Sequence, residues 1–235
     1  MSCLCVIPAR GGSKRIPRKN INSFHGRPMI SWSIDAAIKA NCFDRIVVST
    51  DDEEIASIAL SEGADVPFMR PAALADDYTG TARVVRHAIN MLEQSGESFK
   101  AVCCLYATAP FVRREDILAG LRLWEHSPEG VTVFTASSFA FPIQRALTID
   151  MEGRSHMLQA DNYATRSQDL EEAFHDAGQF YWAASDGWDP SKNIYEGGVP
   201  LLLPRWRVQD IDTPEDWTRA EYMHQVLSDG LGNGY

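Results

Sequence analysis

No stretch of this chain approaches the roughly 20 consecutive apolar residues of a membrane-crossing helix, so no membrane span is expected. The opening run, Met1-Ser2-Cys3-Leu4-Cys5-Val6-Ile7-Pro8, has neither the basic start nor the long apolar core of an export signal. It reads as a first β-strand, and a cytoplasmic location is expected. Positive charge is in deficit: 22 Lys and Arg stand against 32 Asp and Glu, a formal net charge of −10. Proteins that track a nucleic-acid backbone need a basic surface, so nucleic acid is excluded as a partner. Cysteine is scarce and unpatterned. Cys3, Cys5, Cys42, Cys103 and Cys104 make an odd set without the spacing of a disulfide framework or a zinc site. Four of them fall in apolar runs, where Cys acts as a small buried hydrophobe. There is no internal repeat and no low-complexity tract.

What is present is an ordinary apolar fraction, 45% of 235 residues, enough for one large α/β domain. Short apolar runs alternate with amphipathic stretches in the first half. They predict strands over 3–8, 45–49, 101–106 and 131–135, and helices over 29–40, 52–62, 81–94 and 114–125. Such alternation implies a three-layer, mostly parallel, Rossmann-like sheet, with ligands at the carboxyl ends of its strands. The rhythm changes after about residue 139. Pro142, Gly153 and the polar stretch 159–169 predict a β-rich arm over about 140–175, inserted in a single domain spanning 1–235. Strand-like order resumes at 178–184 and 199–203. Thr213 then offers an N-cap to a last helix, with Pro214 at its first position and Glu215 and Asp216 in its first turn.

The strongest local signal is Ile7-Pro8-Ala9-Arg10-Gly11-Gly12-Ser13-Lys14-Arg15-Ile16-Pro17-Arg18-Lys19-Asn20. It begins where the first strand ends. Gly11 and Gly12 let the backbone turn tightly and aim N–H groups into one concavity, an anion site. Ser13 adds a hydroxyl, and Arg10, Lys14 and Lys19 add positive charge. From Arg10 to Arg27 there are six Lys or Arg and no Asp or Glu, which suits a small concentrated anion such as a triphosphate. The string is neither a P-loop nor a dinucleotide fingerprint.

Over this string the chain resembles the CMP-sugar synthetases, the cytidylyltransferases of sialic, pseudaminic and related acids, and the likeness runs over nearly the whole chain. The resemblance implies a fold of the nucleotide-diphospho-sugar transferase type. It also implies a loop that cradles the phosphates of CTP, with Arg10, Gly11, Gly12, Ser13, Lys14 and Lys19 as ligands. Arg10, Lys14 and Lys19 would carry the catalytic work on the leaving pyrophosphate, and Asn20 would lie near the ribose and α-phosphate. Arg70, in Phe68-Met69-Arg70-Pro71, would read cytosine, and Thr81, closing Asp76-Asp77-Tyr78-Thr79-Gly80-Thr81, would give the nucleotide a hydroxyl. The plain alternatives are a surface arginine for Arg70 and a helix N-cap for Thr81.

Asp210-Ile211-Asp212 puts two carboxylates on one face of a strand. Such a pair repels unless a cation sits between its members or one is protonated, and hard oxygen ligands beside a triphosphate suit Mg²⁺, with Mn²⁺ as a substitute. The pair resembles the family's metal-binding Asp-x-Asp. The runs Asp51-Asp52-Glu53-Glu54 and Glu171-Glu172 read as helix-start charges or a solvated face.

On the acceptor side the chain departs from the sialic acid members. Tyr106-Ala107-Thr108-Ala109-Pro110-Phe111 stands where they carry Gln-Pro-Thr-Ser-Pro, and Gln179-Phe180-Tyr181-Trp182 stands near their Asn-Gly-x-x-Tyr. Both departures are similar to the pseudaminic acid branch. Tyr106, Gln179 and Tyr181 are therefore candidate sugar residues, and Arg145 or Arg166 a bidentate partner for the sugar carboxylate. Phe139, Phe141, Phe180 and Trp182 read as an aromatic sugar pocket or as ordinary core, and His175 as a base or a structural residue. The expected reaction joins CMP from CTP to a nine-carbon acidic sugar. The resemblance further implies that the arm exchanges across a homodimer. The rivals are the same reaction on N-acetylneuraminic, legionaminic or another ulosonic acid, a nucleotide-sugar-dependent glycosyltransferase, and a silent CTP-binding regulator.

Overall fold

The computed structural model describes residues 1–228. Strands β1 (Cys3–Pro8) and β5 (Ala101–Leu105) are apolar without interruption, and they are the buried centre of the sheet. Strands covered on both faces read this way, because neither side chain direction meets water. They pair in parallel with Cys5 opposite Cys103. β4 (Arg45–Ser49) continues the sheet on the far side of β1. On the other side follow β9 (Phe174–Ala184), β6 (Val133–Ser138) and β10 (Val199–Leu202), giving the order β10-β6-β9-β5-β1-β4. Only β9 runs against the rest, paired antiparallel to β5 and β6. The sheet is thus mostly parallel, as the alternation implied.

Period-two alternation sorts the core into two layers. Cys3, Cys5 and Ile7 of β1 face one side with α1 (Met29–Ala40), α2 (Glu53–Ser61) and α4 (Arg114–Glu125). Leu4 and Val6 face the other with Val85, Ala88, Ile89 and Leu92 of α3 (Thr81–Gln94). A third cluster ties the small hairpin of β2 (Ser23–Phe24) and β3 (Arg27–Pro28) to α5 (Pro214–Ser228), through Phe24, Ile211 and Trp217. Ile211 therefore anchors the two acids that flank it.

Several boundaries differ from those expected. β6 lies at 133–138 rather than 131–135, and β9 begins at Phe174, four residues before 178, because Phe174–Asp176 pair with Ala136–Ser138 across a register shift. The helix expected from residue 52 begins at Glu53, since Asp52 is its N-cap and accepts from the N–H groups of Glu54 and Ile55, both at 3.0 Å. Thr81 is not an N-cap; Gly80 holds that place and Thr81 opens α3. Thr213 and Asp216 do form reciprocal bonds at the start of α5, Asp216 N–H to Thr213 Oγ1 at 3.2 Å and Thr213 N–H to Asp216 Oδ2 at 2.8 Å.

The segment 140–175 has its own two-stranded antiparallel sheet, β7 (Leu147–Ile149) with β8 (Ser155–Met157), and no residue of either strand is buried. The five cysteines are free thiols; four are buried and Cys42 half-buried, and burial pushes the Cys42 thiol up to about 12. Among the described residues no helix is long and apolar enough to cross a membrane.

Candidate active site

The ends of β1 and β5 open into a cavity of about 620 Å³. Its walls bring together residues far apart in the chain: Arg10 and Lys19 from the loop after β1, Arg70, Tyr106 after β5, and Asp210 and Asp212 before α5. Ser13, Lys14, Asn20 and Thr81 line it as well, while Gly11 and Gly12 shape the loop behind them.

The loop is pinned from outside. Gly11 N–H donates to Asp51 Oδ1 at 3.0 Å, and the buried Asn20 donates through Nδ2 to the carbonyl of Arg10 at 2.9 Å. Arg18, at φ 56°, forks onto Asp52 and onto Glu54 Oε2, the latter at 2.5 Å. The Arg18 bond holds the Asp52 carboxyl below its ordinary range. Asp52 thus caps α2 and anchors the phosphate loop at once, a role that its reading as a helix-start charge covers only in part. The anchoring requires a glycine: a Cβ on Gly11 would stand 2.6 Å from Asp52 Oδ2, whereas one on Gly12 would meet nothing within 4 Å. Gly11→Ala should therefore cost about 1–2 kcal/mol, lowering Tm by about 3–6 °C. Gly12→Ala should leave Tm within about a degree. Parallel thermal melts check this, and equal melting of the two variants would refute the clash.

The basic run without an acid in its own sequence is not unpaired in space. Asp77 meets Arg10 and Lys14, Asp212 meets Arg15 at 2.9 Å and Lys19 at 3.2 Å, and Glu62 meets Arg27 at 3.0 Å. Lys19 also donates to the carbonyl of Ile211 at 2.5 Å. Asp77 and Asp212 arrive from loops and Glu62 from the end of α2, all 35 or more residues away, which is why no local signal reveals them.

Arg70 is buried, which removes the surface-arginine reading. Its Nε donates to Ser49 Oγ at 3.1 Å and a terminal nitrogen donates to the carbonyl of Ser49. Burial lowers its pKa to about 10, so it stays charged at neutral pH. Thr81 Oγ1 and the phenol of Tyr106 lie 2.9 Å apart, joining α3 to the end of β5. Burial raises the Tyr106 phenol to about 12.

Asp210 has its carboxyl pushed above the ordinary range, first by loss of solvent and then by repulsion from Asp212. The residue as a whole is exposed, so the effect belongs to the carboxyl end, which faces β9 at Gly178, 4.0 Å from where a Cβ on that glycine would stand. Among the described residues no three His, Cys, Asp or Glu gather as a ready-made metal cage. Two close acids beside a polar cavity still fit Mg²⁺, which takes one or two carboxylates and fills its sphere with phosphate oxygens and water.

The candidate sugar residues other than Tyr106 do not reach this cavity in the single chain. Gln179 is buried, with Nε2 donating to the carbonyl of Arg207 at 2.8 Å. Tyr181 is buried and donates to Asp176. Phe180 and Trp182 are fully buried core residues rather than a sugar pocket, because β9 is a central strand covered on both faces. Arg145 bonds Ser167 Oγ at 3.3 Å and the carbonyl of Thr165, and Arg166 pairs with Asp169 at 2.7 Å, so both sit within the arm. Phe139 and Phe141 are exposed beside it, and His175 contacts the Asp176 carbonyl at 2.8 Å and the Phe139 ring edge. Asp176, which also accepts from the phenol of Tyr195 at 2.8 Å, carries no sequence signal, since its partners lie 5 and 19 residues away.

Residues 4–188 match the family model described as Cytidylyltransferase. The chain is 42% identical over 227 residues to the pseudaminic acid cytidylyltransferase of Campylobacter jejuni subsp. jejuni, covering 96% of this chain and 97% of that protein. It is 33% identical over 239 residues to the CMP-N,N'-diacetyllegionaminic acid synthase of Legionella pneumophila subsp. pneumophila, covering 98% and 100%. The solved structure of CMP:2-keto-3-deoxy-manno-octonic acid synthetase complexed with CTP shares the fold, with a TM-score of 0.70 at 15% identity over 96% of this chain and 99% of that one.

Proposed function

The chain belongs to the cytidylyltransferase family, and from that premise we propose that it joins CMP from CTP to the anomeric hydroxyl of pseudaminic acid, releasing pyrophosphate. The observation that carries the reading is one cavity where the phosphate-loop cations, a buried arginine and a pair of acids converge. The sugar hydroxyl gives up its proton to solvent as its oxygen bonds to the α-phosphorus, and the bond from that phosphorus to the oxygen bridging the α- and β-phosphates breaks, releasing pyrophosphate. Arg10, Lys14 and Lys19 hold the β- and γ-phosphates and take up the charge that grows on the leaving pyrophosphate. Asn20, fixed against the Arg10 carbonyl, meets the ribose and α-phosphate. Arg70, locked on Ser49, reads the cytosine edge, and Thr81 offers its hydroxyl to the nucleotide. Asp210 and Asp212 would hold Mg²⁺ or Mn²⁺, which when bound supplies charge neutralisation on the phosphates.

The arm supports a homodimer reading. Phe141, Ile149, Met151 and Tyr163 are each more than two-thirds exposed there, and in a dimer Arg145 or Arg166 would meet the sugar carboxylate in the partner's cavity. The five free thiols suit a cytoplasmic enzyme. A second reading, the same transfer to a legionaminic acid, is favoured by the full-length likeness to the Legionella synthase.

The test is pyrophosphate release from four NTPs with a panel of nine-carbon acids. CTP should be turned over at least about a hundredfold better than UTP, because an arginine fixed for one base edge leaves polar groups unpaired against another. Equal turnover would remove Arg70 from base reading. Release of the sugar from a nucleotide sugar, with no pyrophosphate formed from CTP, would favour the glycosyltransferase instead.

A further inference from the structure

Asp77 meets two of the phosphate-loop cations at once. Its Oδ1 lies 2.7 Å from Arg10 Nη1 and its Oδ2 lies 2.5 Å from Lys14 Nζ. Arg10 Nη1 also donates to the carbonyl of Asp76 at 2.7 Å. The loop that presents Asp77 is made locally. The Asp76 carboxylate accepts from the N–H groups of Tyr78 and Thr79, at 3.0 and 2.7 Å, which is an Asx turn. The neighbouring Tyr78 is 94% exposed, so the loop tip is not held by packing. Asp76, Asp77, Arg10 and Lys14 all stand in the wall of the cavity.

A carboxylate bridging a guanidinium and an ammonium offers them what a phosphate group offers: two oxygens in a plane and negative charge. It offers less charge than a polyphosphate and is only partly shielded from water. We propose that Asp77 is a built-in stand-in for the phosphate tail. It holds Arg10 and Lys14 in the empty enzyme, the nucleotide's β- and γ-phosphates displace it, and it reclaims both cations when pyrophosphate departs. The inference rests on reading this cavity as the triphosphate site.

Two consequences follow from the exchange. Lys14, 80% exposed along its side chain, is kept aimed into the cavity rather than loose in solvent. The nucleotide must also compete with an internal ligand, so the observed affinity is weaker than the cations alone would give. Two partly exposed ion pairs correspond to about a three- to tenfold change in Kd. The same competition weakens the hold on pyrophosphate.

The decisive measurement is calorimetric titration of the wild type and Asp77→Asn with CTP, pyrophosphate and CMP, each with Mg²⁺ and without sugar. Asn keeps the size and removes the charge, and thermal melts establish that the variant is folded. CTP and pyrophosphate should bind about three- to tenfold more tightly to the variant, while CMP, which has no β- or γ-phosphate, should bind as before. Unchanged or weaker CTP binding by the folded variant overturns the inference, and so does an equal gain for CMP. Failure of the wild type to bind CTP at all would instead overturn the triphosphate reading beneath it.

Discussion

Asp210→Asn is expected to lower kcat/KM by about two to three orders of magnitude while making the metal-free protein slightly more stable. Both effects come from the same geometry. The Asp210 carboxyl is short of solvent and faces Asp212, with Asp176 also nearby, so its pKa is raised. A carboxyl whose folded pKa lies above its unfolded value binds its proton more tightly when folded. Its ionised form therefore opposes folding, and stability falls as pH rises from the unfolded pKa through the folded one. At neutral pH the wild type carries that cost in full. Asparagine removes it, and because the residue as a whole is exposed, with its carboxyl only partly withdrawn from water, the gain is discounted for screening, to roughly 1–3 °C in Tm. Mg²⁺ with CTP should reverse the order, raising the Tm of the wild type far more than that of the variant. Melts with and without Mg²⁺, beside steady-state kinetics, read both effects. Full wild-type activity in excess EDTA, or near wild-type kcat/KM for the variant, would remove the acid pair from the reaction.

The backbone plan was legible because it rests on patterns that burial imposes. Continuous apolar runs became the central strands, and the phosphate loop stood out because Gly-Gly and six cations sit within one short segment. What escaped was whatever depends on distance in the chain. Nothing in Asp77 or Asp52 announces a partner 34 to 67 residues upstream, and those two acids decide how the basic loop is held. The antiparallel direction of β9 was equally hidden, since an apolar run carries no sense of direction. What decides the burial is the central place of β9: it packs Phe180 and Trp182 on one face of the sheet and Tyr181 on the other, where the Tyr181 phenol donates to Asp176.

The charges of the cavity also show why acids are placed where an anion must bind. Asp77 occupies Arg10 and Lys14, and Asp212 occupies Arg15 and Lys19. Four cations without such partners would repel one another and lose their aim. Each carboxylate keeps a pair in place at modest cost, because exposed ion pairs are worth only about 1 kcal/mol or less and yield readily to a more highly charged ligand.

Pseudaminic acid is expected to be turned over about a hundredfold better than N-acetylneuraminic acid. The argument starts from Tyr106, where the sialic acid members carry glutamine. A glutamine amide has donors and an acceptor free for sugar hydroxyls. Tyr106 has one phenol, and it is already engaged with Thr81 at 2.9 Å. What remains toward the cavity is an aromatic ring, followed along the wall by Ala107 and Thr108. Pseudaminic acid carries acetamido and methyl groups in place of hydroxyls, so it loses little against such a wall. N-acetylneuraminic acid would bury hydroxyls without partners, at roughly 1–3 kcal/mol each. Two such groups at the lower end give about thirtyfold, and a middle value gives more than a hundredfold. The measurement is kcat/KM for both acids side by side at saturating CTP and Mg²⁺. Tyr106→Gln should narrow the gap by improving N-acetylneuraminic acid turnover at the expense of pseudaminic acid. A wild-type preference for N-acetylneuraminic acid would overturn the choice of sugar while leaving nucleotidyl transfer from CTP in place.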